Sequence, residues 1–335
     1  MNAPPAHGGD ASARLAALLA ALRDPAVRDL AWLLFSPDLL RAQRDAPLAE
    51  PWESPHEVDA CVAWLASLDR EPLPLHRALA ASRSTRLGRY AEALLGSLLR
   101  DGPGATLVAA HLPLRCAGRT LGECDFLVET SGGRRLHWEL AVKCYLCVDG
   151  GGGRLSDFVG PNLRDRFDRK RAHLVDHQLR LSARDEFALL GLPGPWHAQM
   201  FVKGWLFYRA RGADVTWPAP AELARCHPRG WWVTHDDWPA FADTHRAAGW
   251  SVLPRLDWLA PRRLDAAVAR SDAAWTPPGV ALPAAPDALF DRIAGAGEPV
   301  MVAAFVADDD GYRELSRGFI VPNDWPSRAR AFACG

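Results

Sequence analysis

The chain has 335 residues, which is long for one domain and sufficient for two. Hydrophobic residues make up 49% of it and charged residues 24%, and these ordinary globular values do not support a disordered, collagen-like or coiled-coil class. The 39 basic and 40 acidic residues give a formal net charge of −1, so the composition excludes a general polyanion binder. Any nucleic-acid site must therefore be a local groove.

The sequence predicts a cytoplasmic protein that makes no contact with a membrane. Its first apolar run, LAALLAAL at 15–22, is shorter than the roughly 18 apolar residues that a membrane helix needs. The seven cysteines are an odd number scattered along the chain, which suits a reducing compartment better than a disulfide framework. The richness in Ala, Arg and Pro is typical of a bacterial source.

The N-terminal part predicts a tail followed by short helices. Residues 1–10 are rich in Pro, Gly and Ala, and we expect them to be disordered. From 11 to 83 apolar residues recur at helical spacing, and prolines divide this section into short helices. A further helix is predicted from Ser84, which can cap it, to Arg100, where the turn DGPG ends it.

After that turn the hydrophobic period changes from 3.6 residues to 2, which is typical of strands. Three strands are predicted, at 106–116, 120–129 and 135–148. Their short connections imply an antiparallel meander. A basic helix near 162–181 and an aromatic-rich strand at 197–209 follow. The order helix, three strands, helix, strand predicts an α/β core with a mixed sheet over 84–212.

The section 213–335 carries eight of the fourteen tryptophans and several short strand-like runs, which predict an α+β arrangement. The turn DDDG at 308–311 is predicted to join the last two strands into a hairpin. The tryptophans can stack on bases or form a surface for a protein partner. Packing in the core or in an interface is the alternative.

A constellation of charged residues lies on the second and third predicted strands. Asp125 lies within GECDFLVE, and Glu139 and Lys143 lie within HWELAVKCYL. Because strand side chains alternate between faces, Glu139 and Lys143 share a face about 13 Å apart. Two carboxylates on neighbouring strands can hold Mg²⁺, and a lysine beside them can orient water or neutralise developing phosphorane charge. A surface ion pair across the meander is the alternative.

At these residues the chain resembles the PD-(D/E)XK nuclease superfamily, whose core is a helix, three antiparallel strands, a helix and a further strand. Asp125 matches the metal-binding Asp of the second strand, and Glu139 and Lys143 approximate the (D/E)XK of the third. The resemblance further implies that Glu92 on the preceding helix and Gln178 on the following helix support the site. It implies a restriction-endonuclease-like core and a Mg²⁺-dependent nuclease acting on DNA or RNA.

One position departs from the superfamily pattern. The superfamily carboxylate lies two residues before the lysine, where this chain has Ala141, and Glu139 lies four residues before Lys143. Two alternatives therefore stay open. The site is an active variant with an ExxxK motif, or the chain is a catalytically inactive nuclease fold that serves as a nucleic-acid or protein binding module.

A second resemblance covers the chain from about residue 25 onward. The strings GPNLRDRFDRKRAHLVDHQLRLS and HWELAVK, with the Trp-rich tail, are similar to a bacterial family of domains of unknown function, number eighteen fifty-three. This resemblance implies a shared architecture that has been linked to the nuclease superfamily, and no established activity.

The predicted basic helix offers a second candidate site. Its start can be capped by Asn162, and amides after Gly-Pro can bind a phosphate. The residues predicted to contact a nucleic-acid backbone are Asn162, Arg164, Arg166, Arg169 and Lys170. Salt bridges within the helix, formed with Asp165 and Asp168 on a solvated face, are the alternative.

Overall fold

The structure, a computed structural model, describes residues 8–82, 85–148, 153–210, 219–265, 281–309 and 311–335. The helices are α1 (Gly8–Ala21), α2 (Pro25–Phe35), α3 (Pro55–Arg70), α4 (Leu73–Ser82), α5 (Leu87–Asp101), α6 (Phe167–Asp176), α7 (Asp185–Ala188), α8 (Trp238–Thr244), α9 (Pro286–Ile293) and α10 (Trp325–Cys334). The strands are β1 (Thr106–Cys116), β2 (Arg119–Glu129), β3 (Arg135–Cys147), β4 (Phe158–Val159), β5 (His197–Arg209), β6 (Arg229–Thr234), β7 (Gly249–Val252), β8 (Arg263–Asp265), β9 (Val300–Asp308) and β10 (Gly311–Val321).

The chain divides into two compact units, each built from several segments. The first unit combines Met1–Val142, Ala172–Lys203 and Ala224–Cys226, and the second combines Lys143–Arg171, Gly204–Leu223 and His227–Gly335. Strands β3 and β5 each begin in the first unit and end in the second. The predicted sections follow chain order instead, and that division stays a prediction.

In the first unit, β1, β2 and β3 form the predicted antiparallel meander. Strand β1 pairs with β2 from Thr106–Glu129 to Cys116–Arg119, and β2 pairs with β3 from Phe126–Trp138 to Glu129–Arg135. The alternating pattern thus located these three strands correctly, to within one residue at each end. Helices α1 to α5 precede the meander, which confirms the predicted helical N-terminal section.

In the second unit the strand pairs are both parallel and antiparallel. Strand β6 is parallel to β5 and to β10, whereas β9 is antiparallel to β10 and to β7. The mixed sheet of the predicted α/β class is therefore present. The predicted hairpin is also confirmed, because Asp308 pairs with Gly311 where β9 turns into β10.

The tryptophans described in the C-terminal section mostly pack inside the second unit. Trp232, Trp238, Trp250 and Trp325 are each at most 1% exposed. Trp232 and Trp325 meet edge to face at 5.3 Å between ring centroids, as aromatic pairs prefer. These four residues form part of the hydrophobic core rather than an exposed stacking surface.

Two local predictions differ from the structure. The basic helix predicted over 162–181 begins only at Phe167, because Leu163 has a left-handed backbone (φ 53°) and Gly160 N donates to Asp165 O across a turn. Asn162 lies in that turn and therefore does not cap the helix. After α6 the chain tightens into a 3₁₀ helix, Gln178–Ala183.

The N-terminal predictions fall partly outside the described residues. Residues 1–7 and the proposed cap Ser84 lie outside them, and α1 begins at Gly8, inside the tail that was expected to be disordered. Helix α5 begins at Leu87, three residues after the predicted cap.

Gly204 in β5 lies against the backbone of β3. Its φ is +138°, and a Cβ built on it would overlap the carbonyl oxygen of Lys143. Replacement by alanine should therefore lower the free energy of unfolding by about 3 kcal/mol or more, since backbone must move. Urea unfolding followed by circular dichroism measures this. The control is Gly88→Ala in α5, where a Cβ meets no atom within 4 Å and stability should not fall. Equal stabilities would contradict the prediction.

Glu53 holds the turn between β2 and β3. Its carboxylate accepts hydrogen bonds from Thr130 Oγ1 (2.8 Å), Ser131 Oγ (3.1 Å), Gly132 N (2.7 Å) and Arg134 Nε (2.7 Å). The hydrogen bond from Arg134, followed by that from Thr130, lowers the pKa of Glu53 to about 2. The ionised carboxylate is thus the form that the folded turn stabilises.

The stabilisation by Glu53 should depend on pH in a defined direction. Because the pKa is lowered on folding, the contribution is complete above the ordinary pKa of 4.5 and is lost as pH falls towards 2. The difference in melting temperature between the parent and Glu53→Gln should therefore shrink from pH 7 to pH 3. The same substitution at the exposed Glu71 is the control. A difference that stays constant with pH would refute this role.

Candidate functional site

Asp125 and Glu139 lie where the backbone ladder between β2 and β3 ends. The last paired residues are Phe126 and Trp138. Beyond them, Leu140 N donates to Asp125 Oδ2 at 2.9 Å, and Asp125 N donates to Glu139 Oε1 at 3.3 Å. Each carboxylate therefore accepts a backbone N–H of the neighbouring strand beyond the last paired residues. The two acidic side chains lie side by side in the first unit.

Glu139 is fully buried and is surrounded by hydrogen-bond donors. Its side chain has an exposed fraction of 0%. Gln178 Nε2, in the 3₁₀ helix after α6, donates to Glu139 Oε2 at 2.5 Å, and His137 Nε2 lies 2.8 Å from Oε1. A buried carboxylate needs such partners, because unpaired burial of a charge is very costly. The structure thus brings together three of the predicted residues, Asp125, Glu139 and Gln178.

His137 and Ser182 extend this network, and the sequence alone did not identify either of them. His137 Nδ1 lies 3.0 Å from Ser182 Oγ, and burial lowers the pKa of His137 to about 4. The imidazole is therefore neutral at pH 7 and donates from one nitrogen only. With its proton on Nε2, it donates to Glu139 and accepts from Ser182. His137 lies two residues before Glu139 on the same strand face, and this spacing could have indicated it; Ser182 is contributed by the tertiary fold.

Glu92 lies in a second cluster of charges, on α5. Arg89 Nη1 donates to Glu92 Oε2 at 2.7 Å and to His111 Nδ1 at 3.1 Å. Arg89 Nη2 is 3.5 Å from Glu123 Oε1. The pKa of Arg89 is raised, first by the hydrogen bond and charge of Glu92, and also by the charges of Glu123 and Asp125. Sequence analysis missed Arg89, although its position three residues before Glu92 is typical of a helical ion pair.

The register of the meander places this cluster next to Asp125. Ala110 pairs with Phe126 and Leu112 with Cys124, so His111 lies opposite Asp125 on the adjacent strand. A cavity of about 510 Å³ adjoins the cluster and is lined by Arg89, Glu92 and His111 among others. Another cavity of about 520 Å³ in the first unit is lined in part by Ser182.

Lys143 forms an ion pair with a residue of the second unit. Its ammonium pairs with Asp165 Oδ2, and Tyr145 OH donates to the same oxygen at 3.0 Å. Tyr145 in turn stacks on Phe167 at 4.9 Å between ring centroids. The lysine predicted to assist catalysis thus has a carboxylate partner of its own.

The residues predicted to contact nucleic acid differ in their exposure and in their hydrogen-bond partners. Arg166 binds Asp168 through two nitrogens, at 2.7 and 2.9 Å, and donates to Ala333 O at 3.1 Å. Arg169 donates to Gly335 O at 3.1 Å. Asn162 and Arg164 are exposed, and Lys170 is half-buried. Arg166 is therefore paired with an aspartate, but it lies just before α6 and two residues from its partner, so this is not the predicted pair within the helix.

Within the described ranges, no group of three or more His, Cys, Asp and Glu side chains is arranged to hold a metal ion. The pair Asp125 and Glu139 offers carboxylate oxygens, which are the donors that Mg²⁺ prefers. In the part of the chain that the structure describes, no helix is long and apolar enough to cross a membrane.

Comparison with known proteins gives one family. The family model described as Domain of unknown function (DUF1853) matches residues 28–321. Searches of curated proteins and of solved structures return no match.

Burial of neutral His137 should make folding stability fall in mild acid. Because its pKa is lowered from 6.5 to about 4, the unfolded chain binds the proton first, and stability declines as pH drops from 6.5 towards 4. The urea midpoint should therefore fall more between pH 7 and pH 5 in the parent than in His137→Gln. The exposed His197→Gln is the matched control and should keep the parental slope. Identical slopes in parent and His137→Gln would exclude this origin.

Proposed function

Since this chain belongs to the family described as Domain of unknown function (DUF1853), we propose its function from its own residues: a Mg²⁺-dependent nuclease-like protein that hydrolyses DNA or RNA phosphodiesters. The observation that carries the proposal is the pair of carboxylates, Asp125 and Glu139, at the end of the β2–β3 ladder. The succession α5, β1, β2, β3, α6, β5, with the two-residue β4 before α6 and the four-residue α7 after it, supports the PD-(D/E)XK-like core in which such a pair has this role.

The donor set fits Mg²⁺ by its chemistry. Asp125 and Glu139 would hold the ion, since carboxylate oxygens are the ligands that Mg²⁺ prefers. When bound, Mg²⁺ supplies Lewis-acid polarisation of a phosphoryl oxygen and a lower pKa for attacking water. Gln178 keeps Glu139 oriented through its bond to Oε2.

The other predicted site residues have supporting roles in this proposal. Glu92 adds negative charge beside Asp125 and fixes Arg89. Lys143 assists the attacking water, which requires its ammonium to leave Asp165. Asn162, Arg164 and Arg169 are exposed, which supports their predicted contact with a phosphate backbone.

A catalytically inactive nuclease fold that binds nucleic acid or a protein is the second candidate. Three observations favour it: Glu139 is fully buried, Lys143 is paired with Asp165, and Ala141 occupies the usual carboxylate position. Under either proposal we place the protein in the cytoplasm. The predicted protein partner would contact the surface of the C-terminal section and not its four buried tryptophans.

Cleavage assays on the purified protein separate these candidates. With linear duplex DNA, single-stranded DNA or RNA and Mg²⁺ or Mn²⁺, the parent should cleave, and EDTA should abolish cleavage. Asp125→Asn should lower the rate at least about 100-fold, because a metal-binding charge is worth several kcal/mol in the transition state. Lys143→Ala should also lower it. Glu129→Gln, on the same strand but paired with Arg135, is the control.

The outcomes are distinct. A parent that neither cleaves nor gains thermal stability from Mg²⁺, yet binds nucleic acid with salt-dependent affinity, is the binding module. Cleavage that survives Asp125→Asn refutes the assigned site.

A further inference from the structure

The cavity beside Glu92 is rich in hydrogen-bond donors. We call it the α5–β1 cavity, and its lining includes Ser82, Thr85, Arg86, Arg89, Glu92 and His111. Five of these six side chains can donate a hydrogen bond, and Glu92 is the one acidic residue among the lining residues that the structure describes. Its volume of about 510 Å³ is within the range of small-molecule sites. Arg86 and Arg89 are the cationic groups of this wall, and they offer donors to phosphate oxygens.

Arg89 is held in one orientation by acidic partners. Glu92 accepts from Nη1, and Glu123 lies 3.5 Å from Nη2. His111 Nδ1 takes the other contact of Nη1, at 3.1 Å. The Arg89 side chain is nevertheless 52% exposed. A guanidinium has five N–H groups, so this arrangement fixes the fork and leaves donors for a bidentate contact with phosphate oxygens.

His111 has a strained backbone at the same place. It is a non-glycine residue with φ 51°, and its ring packs on Phe126 at 5.8 Å between centroids. A left-handed backbone at such a residue costs free energy, and such residues cluster at ligand sites. Since His111 lies opposite Asp125 in the register, the distorted strand brings the cavity next to the carboxylate pair.

We propose that the α5–β1 cavity binds one phosphate of a nucleic-acid strand whose neighbouring phosphodiester lies at Asp125, and that Arg89 is the residue that contacts this phosphate. The identity of the ligand rests on the proposed function. The cavity also serves the binding module, because contact with a phosphate does not require cleavage.

Binding without metal tests the proposal independently of catalysis. Fluorescence anisotropy of a labelled single-stranded DNA, with EDTA present, gives affinity at several salt concentrations. Arg89→Gln should bind about tenfold more weakly, the size of one charge-assisted contact. Its plot of log affinity against log salt should be less steep by about 0.7, the value for one phosphate of a single strand. Arg89→Lys keeps the charge but loses the fork and should be intermediate.

The control is Arg70→Gln, an equal change of charge on an exposed arginine at the end of α3, which should bind like the parent. Circular dichroism verifies that each variant is folded. Parental affinity and salt slope in Arg89→Gln overturn the proposal whether or not the protein cleaves, as does a parent that binds no nucleic acid. Loss of affinity in Arg89→Gln with no cleavage by the parent supports the cavity while the nuclease proposal fails.

Discussion

The site of the first unit depends on two hydrogen bonds, in which the carboxylates of Asp125 and Glu139 each accept a backbone N–H of the facing strand. Asp125 Oδ2 accepts from Leu140 N, and Glu139 Oε1 accepts from Asp125 N, beyond the point where the backbone pairing of β2 and β3 ends. Glu139 is fully buried at this point, so the groups packed around it must satisfy its remaining oxygen. Gln178 donates to that oxygen, and His137 contacts the other one.

The whole chain is nearly neutral, but some of its charged residues form local clusters. Lys143 pairs with Asp165, and Lys203, only 3% exposed, pairs with Asp38 at 3.0 Å. Acidic residues near Asp125 are balanced by Arg89 rather than by a lysine. An arginine suits this place, since a planar fork can hold two carboxylates and keep further donors, whereas an ammonium is a point charge.

Strand pattern and turn chemistry were sufficient to predict the meander and the last hairpin, because alternation over 106–147 has few competing explanations. The same reasoning predicted too early a start for the basic helix. The residue types there do not indicate the left-handed backbone of Leu163. Part of the network around Glu139 could be predicted, since the resemblance to the nuclease superfamily implied Gln178. Ser182 could not be predicted, because only the tertiary fold brings it to His137. Each unit is built from several separate segments of the chain, and such a division depends on long-range contacts that no local pattern encodes.

Gly204 also constrains the alignment of β5 with β3. A strand shifted by one residue would present Lys203 or Trp205 to the carbonyl of Lys143, and neither side chain has room there. A glycine at this position therefore disfavours that shifted alignment of β5 beside β3. A single glycine thus adds a constraint on the pairing of two strands whose buried residues are nearly continuous.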